Sequence, residues 1–231
     1  MSIQLLHKKI KKALLQWEYR YNRDRAKMIS KALDFCRYTH VEGDYFEFGV
    51  FQGATFSYAC RAAAFRGMKS MRYFALDSFE GFSTPTGTDD IGILKKGDRN
   101  CSEQDFLNRI EKQGIDMSKV TTIAGFFENT LTGAGRVETE KRISNAKAAA
   151  VYIDCDLYEP AYLALSFLSD RLTDGTVIMF DNWFLFRGSP DRGERKAFEQ
   201  WVQEHPEYTI TQFQKFGWHG ESFIVNLPLA K

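Results

Sequence analysis

From residue 44 onward, the chain alternates between short apolar runs and longer segments whose apolar residues recur at helical spacing. The apolar runs are typical of buried strands, and the periodic segments are typical of helices. We predict strands at residues 45–50, 71–77, 119–125, 148–154, 175–181, 207–213 and 220–227. We predict helices at residues 53–65, 103–113, 126–134, 159–171 and 194–205. This alternation predicts an α/β fold with a mostly parallel sheet, helices on both faces and an antiparallel final strand.

Residues 1–40 predict an N-terminal helical segment that precedes a main domain over residues 41–231. Its apolar residues fall at helical spacing: Leu6, Ile10, Leu14, Trp17, Tyr21, Met28, Ala32 and Phe35. The segment carries ten Lys and Arg residues against three acids. Because Glu18, Asp24 and Asp34 interrupt the basic face, packing on the domain or on a second subunit is favoured over a membrane surface. We therefore expect this segment to form a lid or a homo-oligomer contact.

Composition narrows the classes of function. The chain has 231 residues, 44% of them hydrophobic, which suits one α/β domain with a substantial core. A net charge of +1 lacks the strong basic field typical of nucleic-acid binding, so we expect no nucleic-acid partner. No apolar run approaches the roughly 20 residues that cross a bilayer, and no signal-peptide core is present, so we expect no membrane partner. The cysteines (Cys36, Cys60, Cys101 and Cys155) form no CxxC pair, which favours the reducing cytoplasm.

The first predicted strand ends in a turn, EFGVFQGA, that leads into the first helix of the main domain. Gly49 and Gly53 would let the backbone approach a ligand, and Glu47 could accept a hydrogen bond from an ammonium group. A dinucleotide site needs G-x-G-x-x-G, but Phe51 replaces the middle glycine and would crowd a pyrophosphate. Asp77 lies 24 residues beyond Gly53, near the ~20-residue offset at which an acid meets ribose hydroxyls. The turn predicts an adenosine-type ligand, with plain turn glycines and a capping Asp77 as the alternatives.

Six blocks of sequence, in chain order, resemble the macrocin O-methyltransferase family: EFGVFQGATF, ALDSFEGF, GFFENTL, IDCDLYEP, FDNW and GERKAF. The resemblance covers residues 42–200 and implies a Rossmann-like methyltransferase sheet that binds S-adenosylmethionine. It also implies a metal-dependent enzyme that methylates sugar hydroxyls of antibiotics. By this resemblance, Glu47 and Gly49 line the methionine end of the cofactor and Asp77 binds the ribose. The adenine would lie beside Ser78, Gly125 and Phe126.

Acidic residues follow two of the predicted strands. Asp154 ends the run AAAVYID, and Asp181 ends GTVIMFD, 27 residues later with one helix between them. That length suits a right-handed crossover between adjacent parallel strands, so both carboxylates are expected at one edge of the sheet. Asn182 adds a third oxygen. Oxygen ligands without clustered His or Cys favour Mg²⁺ or a similarly hard divalent cation.

Asp156, two residues beyond Asp154, is our candidate general base. A divalent cation that binds an acceptor hydroxyl stabilises the developing alkoxide, and a nearby carboxylate can take the proton. The family pattern D-x-D-x-Y implies the same role, with Tyr158 orienting the base; the alternative is that Asp156 caps the following helix. Asn182 departs from the second aspartate of the family: it keeps the oxygen ligand but removes a charge, which predicts weaker metal binding. The Asp–Asn pair is also similar to catechol-type methyltransferases, so acceptors other than sugars stay open. Glu128 departs from a shorter acid, with no effect that the sequence predicts.

The sequence thus predicts an S-adenosylmethionine-dependent O-methyltransferase that uses a divalent cation to activate a hydroxyl of a sugar or other small molecule, in secondary-metabolite or glycan biosynthesis. Loops 80–104 and 184–196 are expected to frame the acceptor, with part of them moving as a lid. His219 is expected in a hairpin turn, and Trp183 either walls the pocket or packs in the core. Two alternatives stay open: a glycosyltransferase that uses D-x-D to hold a nucleotide sugar, and a non-catalytic protein that responds to nucleotides.

Overall fold

A computed structural model of the chain describes residues 23–228, and within them the sheet has seven strands. The strands are β1 (Asp44–Phe48), β2 (Tyr73–Asp77), β3 (Val120–Ala124), β4 (Ala148–Ile153), β5 (Leu172–Phe180), β6 (Thr209–Gln212) and β7 (Glu221–Asn226). Their spatial order is β3-β2-β1-β4-β5-β7-β6. Neighbours from β3 to β5 pair in parallel, whereas β7 is antiparallel to both β5 and β6. The predicted mostly parallel sheet with an antiparallel final strand is confirmed.

Helices cover both faces of the sheet, because its central strands are apolar on both sides. They are α1 (residues 23–38), α2 (Ala54–Phe65), α3 (Glu103–Lys112), α4 (Phe127–Thr130), α5 (Gly133–Arg142), α6 (Tyr158–Leu168) and α7 (Gly193–Glu204). One apolar cluster joins α1, α2 and α3 to the first face, and a second joins α4, α6 and α7 to the opposite face. The two layers leave the carboxyl ends of the parallel strands free to carry polar side chains.

The predicted elements agree with the structure to within a few residues, with one clear error. The helix predicted over residues 126–134 is wrong, because the chain forms α4 and then a separate α5. Thr132 lies between them with φ −127° and ψ 159°, an extended conformation that cannot continue a helix. The helix predicted to end at residue 171 ends at Leu168 and continues as one 3₁₀ turn.

Only part of the predicted N-terminal segment lies within the described residues. The helical pattern over Leu6, Ile10, Leu14, Trp17 and Tyr21 lies outside them, whereas α1 belongs to the second half of the segment. Met28, Ile29, Ala32, Leu33 and Cys36 of α1 are buried in the same apolar cluster as α2. Helix α1 is therefore part of the domain core. Within residues 23–228, no helix combines the length and hydropathy needed to span a bilayer.

Candidate active site

A cleft of about 670 Å³ opens along the carboxyl ends of β1 to β4. Its lining comes from the strand ends and the loop after β2: Gly49, Phe51, Asp77, Ser78, Gly81, Phe82, Ser83, Arg99, Phe126, Phe127, Glu128, Asp154, Cys155, Asp156, Leu157 and Pro160. Parallel sheets bind ligands beyond these strand ends, so the position of the cleft is that of a ligand site. Four of the seven predicted cofactor residues are in this lining: Gly49, Asp77, Ser78 and Phe126.

Asp77 holds the turn after β1 in place. Its Oδ2 accepts hydrogen bonds from the backbone N–H groups of Val50 at 2.7 Å and Phe51 at 3.1 Å. Its Oδ1 accepts one from the backbone N–H of Phe79 at 2.8 Å. Phe51 and Phe79 both have positive φ, so the carboxylate supports two strained turn residues. These bonds belong to turns, so the capping alternative for Asp77 does not hold.

The two glycines of the turn after β1 have different structural roles. Gly49 has φ +85°, and an added Cβ would lie 2.1 Å from the carbonyl oxygen of Asp154, so only glycine lets β1 and β4 meet here. Gly53 lies outside the cleft lining, where an added Cβ would lie 2.8 Å from Ile110 and 2.9 Å from Phe106. Gly53 therefore allows α2 to pack against α3. Gly125 follows β3 and precedes Phe126 in the lining.

Glu47 lies beneath the cleft and is absent from its lining. The side chain is fully buried, and it accepts hydrogen bonds from the hydroxyls of Tyr45 at 2.5 Å and Thr55 at 2.6 Å. Burial raises the pKa of Glu47 to about 8, although the two hydrogen bonds and the charge of Arg25 oppose the shift. Asp181 raises the pKa further. Glu47 is therefore a buried carboxyl group that keeps its proton to a higher pH than an exposed glutamate does.

Glu47→Gln is expected to flatten the pH dependence of stability. The pKa of Glu47 is about 8 in the folded state and 4.5 in the reference state, so between these values unfolding releases a proton and stability falls as pH rises. In this window, the variant should gain up to about 1.4 kcal/mol per pH unit relative to the wild type. Urea unfolding of the cofactor-free protein from about pH 5 to about pH 8 measures the difference.

The exposed Glu138→Gln is the matched control for this prediction, because it makes the same change of charge on the surface of α5. Its unfolding curve should follow that of the wild type at every pH. Parallel pH profiles for Glu47→Gln and the wild type would contradict the buried protonated state.

Asp154 and Asp181 lie together at the edge where β4 and β5 end. Ile153 pairs with Phe180, so the two acids follow directly from paired positions. Arg25 of α1 contacts both carboxylates. Its Nε donates to Asp181 Oδ1 at 2.7 Å, its Nη2 donates to Asp181 Oδ2, and Nη2 lies 3.8 Å from Asp154 Oδ2. The predicted convergence of the two acids is therefore present, and the cation between them is a guanidinium.

Asp154 and Asp181, called the acidic group below, shift the pKa of Arg25, and Asp181 and Arg25 in turn shift that of Asp154. Burial raises the pKa of Asp154 well above its ordinary value, the charge of Asp181 adds to the increase, and Arg25 opposes it. Burial lowers the pKa of Arg25, but the charges of Asp154 and Asp181 more than offset this, so its net pKa rises. Asn182, the third predicted metal ligand, donates from Nδ2 to Asp154 Oδ1 at 2.8 Å. The three predicted ligands are thus brought together.

Two further side chains contact Asp181 from the sheet and the β6–β7 hairpin. The hydroxyl of Tyr152 donates to Asp181 Oδ1. His219 lies in the hairpin turn, as predicted, but its buried ring also reaches the site: Nδ1 bonds the carbonyl oxygen of Asp181 and lies 3.6 Å from Oδ1. The sequence pattern gave no reason to expect these contacts, since a turn position does not show where the ring points.

Asp156 lies in the cleft lining and is buried, with 1% of its surface exposed. Its Oδ1 has no hydrogen-bond partner among residues 23–228. Burial raises the pKa of Asp156 to about 7, and the charge of Arg99 in the same lining opposes the shift. A buried carboxylate oxygen without a partner is costly, so it indicates a place for a proton, a ligand or a cation. The predicted orienting residue, Tyr158, instead donates its hydroxyl to Gln200 at 2.7 Å.

Asp89 provides the helix cap that was the alternative role for Asp156. Asp89 Oδ2 accepts from the backbone N–H of Tyr158 at 2.6 Å, and Oδ1 accepts from that of Gly193 at 3.0 Å. One buried side chain in loop 80–104 therefore caps both α6 and α7. Thr88 also donates to the carbonyl of Asp191 at 3.1 Å, which joins the two loops predicted to frame the acceptor.

Glu194 is a further residue of the site that the sequence analysis did not identify. It is fully buried in the first turn of α7. Its Oε1 accepts from the backbone N–H groups of Cys155 at 3.0 Å and Asp156 at 3.2 Å, and its Oε2 accepts from that of Asn182 at 2.8 Å. Glu194 thus ties together the two loops that carry the acidic residues. The available signal in the sequence was the acidic residue in the block GERKAF, near the start of an otherwise amphipathic helix.

Trp183 belongs to the core and does not line the cleft. Its ring centroid lies 5.2 Å from that of Phe180, 4.9 Å from that of Phe223 and 5.6 Å from that of Phe198. The alternative of a pocket wall therefore does not hold for this structure.

The fold, the cleft and the paired acids agree with a family comparison. The model of the macrocin O-methyltransferase (TylF) family matches residues 21–205. The chain belongs to this family. The resemblance of the six sequence blocks is confirmed, and the matched residues contain the cleft, the acidic group and Glu194.

Relatives of the family have names from antibiotic biosynthesis. A Streptomyces olivaceus protein, 8-demethyl-8-(2,3-dimethoxy-alpha-L-rhamnosyl)-tetracenomycin-C 4'-O-methyltransferase, is 26% identical over 150 residues. The match covers 62% of this chain and 54% of the relative, so the chain spans about half the length of that protein.

Solved structures show the same fold. Calicheamicin methyltransferase CalS11 is 19% identical with a TM-score of 0.66, over 89% of this chain and 79% of its own. The O-methyltransferase NovP is 18% identical with a TM-score of 0.65, over 87% and 79%. Both are Rossmann-like methyltransferase folds, as the sequence predicted.

Proposed function

We propose that the chain is an S-adenosylmethionine-dependent O-methyltransferase that acts on a hydroxyl of a sugar or another small molecule, in secondary-metabolite or glycan biosynthesis. The observation that carries the proposal is the meeting of a ligand cleft with a buried acidic group at one sheet edge. Family membership supports the reaction class, and the names of CalS11 and the tetracenomycin methyltransferase support a glycosidic natural-product acceptor.

The cofactor is proposed to lie along the strand ends of the cleft. A carboxylate offers about four acceptor positions. Asp77 uses three of them for backbone N–H groups, and the Ser78 hydroxyl makes a longer contact with Oδ1 at 3.4 Å, which a ribose hydroxyl would replace. Phe126 and Ser78 offer an apolar face and a hydroxyl where the adenine would lie. A solved structure supports this assignment. The Streptomyces achromogenes O-methyltransferase TomG, whose fold matches this chain with a TM-score of 0.56, was solved in complex with SAM.

Glu47 belongs to this cofactor proposal in a different way. It lies below the lining, so contact with the ammonium group of the cofactor would require it to exchange a hydrogen bond from Tyr45 or Thr55. We therefore propose that Glu47 acts on the methionine end of the cofactor only after such an exchange, whereas Gly49 borders the cleft directly.

A hard divalent cation such as Mg²⁺ is proposed for the acidic group. The residue types fit, because Asp154 and Asp181 carry carboxylate oxygens and Asn182 carries an amide oxygen at one sheet edge. Ligation would require Asn182 to turn its oxygen toward the site in place of Nδ2, and Arg25 to leave the two acids. When bound, such a cation supplies a positive charge that lowers the pKa of an acceptor hydroxyl. Asn182 in place of an aspartate reduces the negative charge available to hold it.

The remaining steps belong to residues of this chain. Asp156 accepts the proton of the acceptor hydroxyl at Oδ1, because this buried oxygen has no hydrogen-bond partner within residues 23–228. Glu194 fixes the backbone on both sides of Asp156, which keeps that oxygen in position. Loops 80–104 and 184–196, joined through Asp89 and Thr88, exclude water from the acceptor side.

The lid that the sequence predicts over residues 1–40 is proposed here only for the part of α1 around Arg25, which covers the acidic group. Helix α1 supports this role, since its Arg25 reaches both carboxylates while its apolar residues are packed on the sheet. A homo-oligomer contact through the same segment stays a prediction from the sequence.

Calorimetric titration with S-adenosylhomocysteine, UDP-glucose and NAD⁺ tests the proposal, each with and without Mg²⁺. We expect binding heat only for S-adenosylhomocysteine, because Phe51 narrows the turn where a pyrophosphate would lie. Heat from UDP-glucose in Mg²⁺, with none from S-adenosylhomocysteine, would favour the glycosyltransferase. Transfer of labelled methyl groups to a library of hydroxyl acceptors then separates an enzyme from a non-catalytic binding protein.

A further inference from the structure

Arg25 occupies the place between the two carboxylates that a divalent cation would take. Its guanidinium forms a two-pronged contact with Asp181 and reaches Asp154 at 3.8 Å through the same Nη2. The side chains are 12% exposed for Arg25, 17% for Asp154 and 0% for Asp181. A guanidinium matches the geometry of carboxylates and remains charged, so Arg25 offsets one of the two negative charges without a metal.

A guanidinium and a metal ion cannot use these oxygens together. Arg25 covers both oxygens of Asp181, and Asn182 presents its amide nitrogen to Asp154 at 2.8 Å. Metal ligation would require free carboxylate oxygens and the oxygen of Asn182 in place of its nitrogen. Two positive groups at this separation would also repel each other.

Helix α1 has other anchors, so Arg25 is not needed to hold it. Met28, Ile29, Ala32 and Leu33 are buried in the core cluster. Further along α1, Asp34 forms an ion pair with Arg66, the residue that follows α2, with Nε–Oδ1 and Nη2–Oδ2 distances of 2.7 and 2.9 Å. A long side chain on an anchored helix can leave the carboxylates while most of α1 stays packed.

We propose that Arg25 is an internal counter-ion that competes with a divalent cation for Asp154 and Asp181. The inference rests on the metal site of the proposed function. In the arginine-bound state, Arg25 offsets part of the charge of the acids and the metal is excluded. In the metal-bound state, Arg25 is released from the acids, which links metal binding to the position of the part of α1 around Arg25.

The test measures Mn²⁺ affinity of the cofactor-free protein by electron paramagnetic resonance, for the wild type, Arg25→Met and Arg25→Lys. Removing a competing cation should tighten Mn²⁺ binding by about tenfold or more in Arg25→Met, with Arg25→Lys between it and the wild type. Arg66→Met is the matched control, because it removes the other ion pair of α1 and leaves the acidic group untouched. Its Mn²⁺ affinity should equal that of the wild type.

Stability supplies a second readout. Arg25→Met leaves two largely buried carboxylates without their guanidinium, so its melting temperature should fall, and Mg²⁺ should restore more of it than Mg²⁺ adds to the wild type. If Arg25→Met does not fold, hydrogen exchange of the wild type replaces it: Mn²⁺ should increase exchange in the part of α1 around Arg25.

Equal Mn²⁺ affinity in Arg25→Met and the wild type would overturn the proposal, as would an equal gain in Arg66→Met or no Mn²⁺ binding to any variant. If the wild type alone can be studied, unchanged exchange in α1 at saturating Mn²⁺ would also overturn it. Titration of S-adenosylhomocysteine into the same samples separates the two conclusions. Cofactor binding with unchanged metal affinity removes only the role of Arg25, whereas absent cofactor binding removes the proposed function.

Discussion

Asp156→Asn is expected to reduce kcat for methyl transfer by about 10²- to 10⁴-fold, the usual contribution of a positioned general base. Asparagine tolerates the φ of +60° at this position and has the same shape, so the loop should keep its conformation. What the variant loses is the capacity to accept a proton at Oδ1, the buried oxygen that has no partner among the described residues. Affinity for S-adenosylhomocysteine should not change.

Single-turnover kinetics with labelled methyl donor measure the effect, and calorimetry measures cofactor affinity in parallel. Asp116→Asn is the matched control, since this exposed aspartate lies before β3, at the opposite end of the strands. Asparagine can replace it in capping the 3₁₀ turn, so its rate should equal that of the wild type. An unchanged rate in Asp156→Asn would show that another group takes the proton.

The positions of the strands and the mostly parallel sheet could be predicted from the sequence, because their cause is local. Each apolar run of β1 to β5 is too short for a helix of the core and is separated from the next by a helical pattern, which leaves few topologies. The split between α4 and α5 was missed, because the extended backbone at Thr132 leaves no distinctive mark in the composition of GFFENTLTGAGR.

In the acidic group, the two carboxylates could be predicted from the sequence, but their arginine partner could not. Asp154 and Asp181 were expected together, because adjacent parallel strands bring their carboxyl ends to one edge. Arg25 was not expected there. It lies 156 residues from Asp181 in sequence, and its position depends on how α1 packs on the finished sheet. Asp89 likewise caps α6 and α7 from a loop without periodic pattern.

Gly53 gives a further case in which a sequence signal had a different cause. A glycine at the first βα turn is typical of close approach to a ligand, and this is how Gly49 and Gly53 were both interpreted. In the structure, Gly49 borders the cleft, whereas Gly53 makes room for Phe106 and Ile110 of α3. The sequence could not separate them, because both demands, a positive φ and missing side-chain volume, have the same signature.

Glu194→Ala is expected to lower the free energy of unfolding by about 3–5 kcal/mol. The change leaves the backbone N–H groups of Cys155, Asp156 and Asn182 without their acceptor, and it opens a cavity under the acidic loops. Because burial and the charges of Asp154 and Asp156 raise the pKa of Glu194 well above its ordinary value, Glu194→Gln resembles the protonated side chain and should lose less. Urea unfolding midpoints measure both variants.

The control for Glu194 comes from the same helix. Glu199 is 39% exposed on α7 and pairs only with Arg195 in the described part of the chain, so Glu199→Ala should cost no more than about 1 kcal/mol. Glu194→Ala should also disturb the active site, since the hydrogen bonds that Glu194 accepts from the backbone position Asp156 and Asn182. We therefore expect kcat to fall in the folded variant at low temperature while Glu199→Ala keeps it. Equal unfolding midpoints for the two alanine variants would mean that the loops hold their acids without Glu194, and the positioning role would have to pass to Asp89 and the caps of α6 and α7.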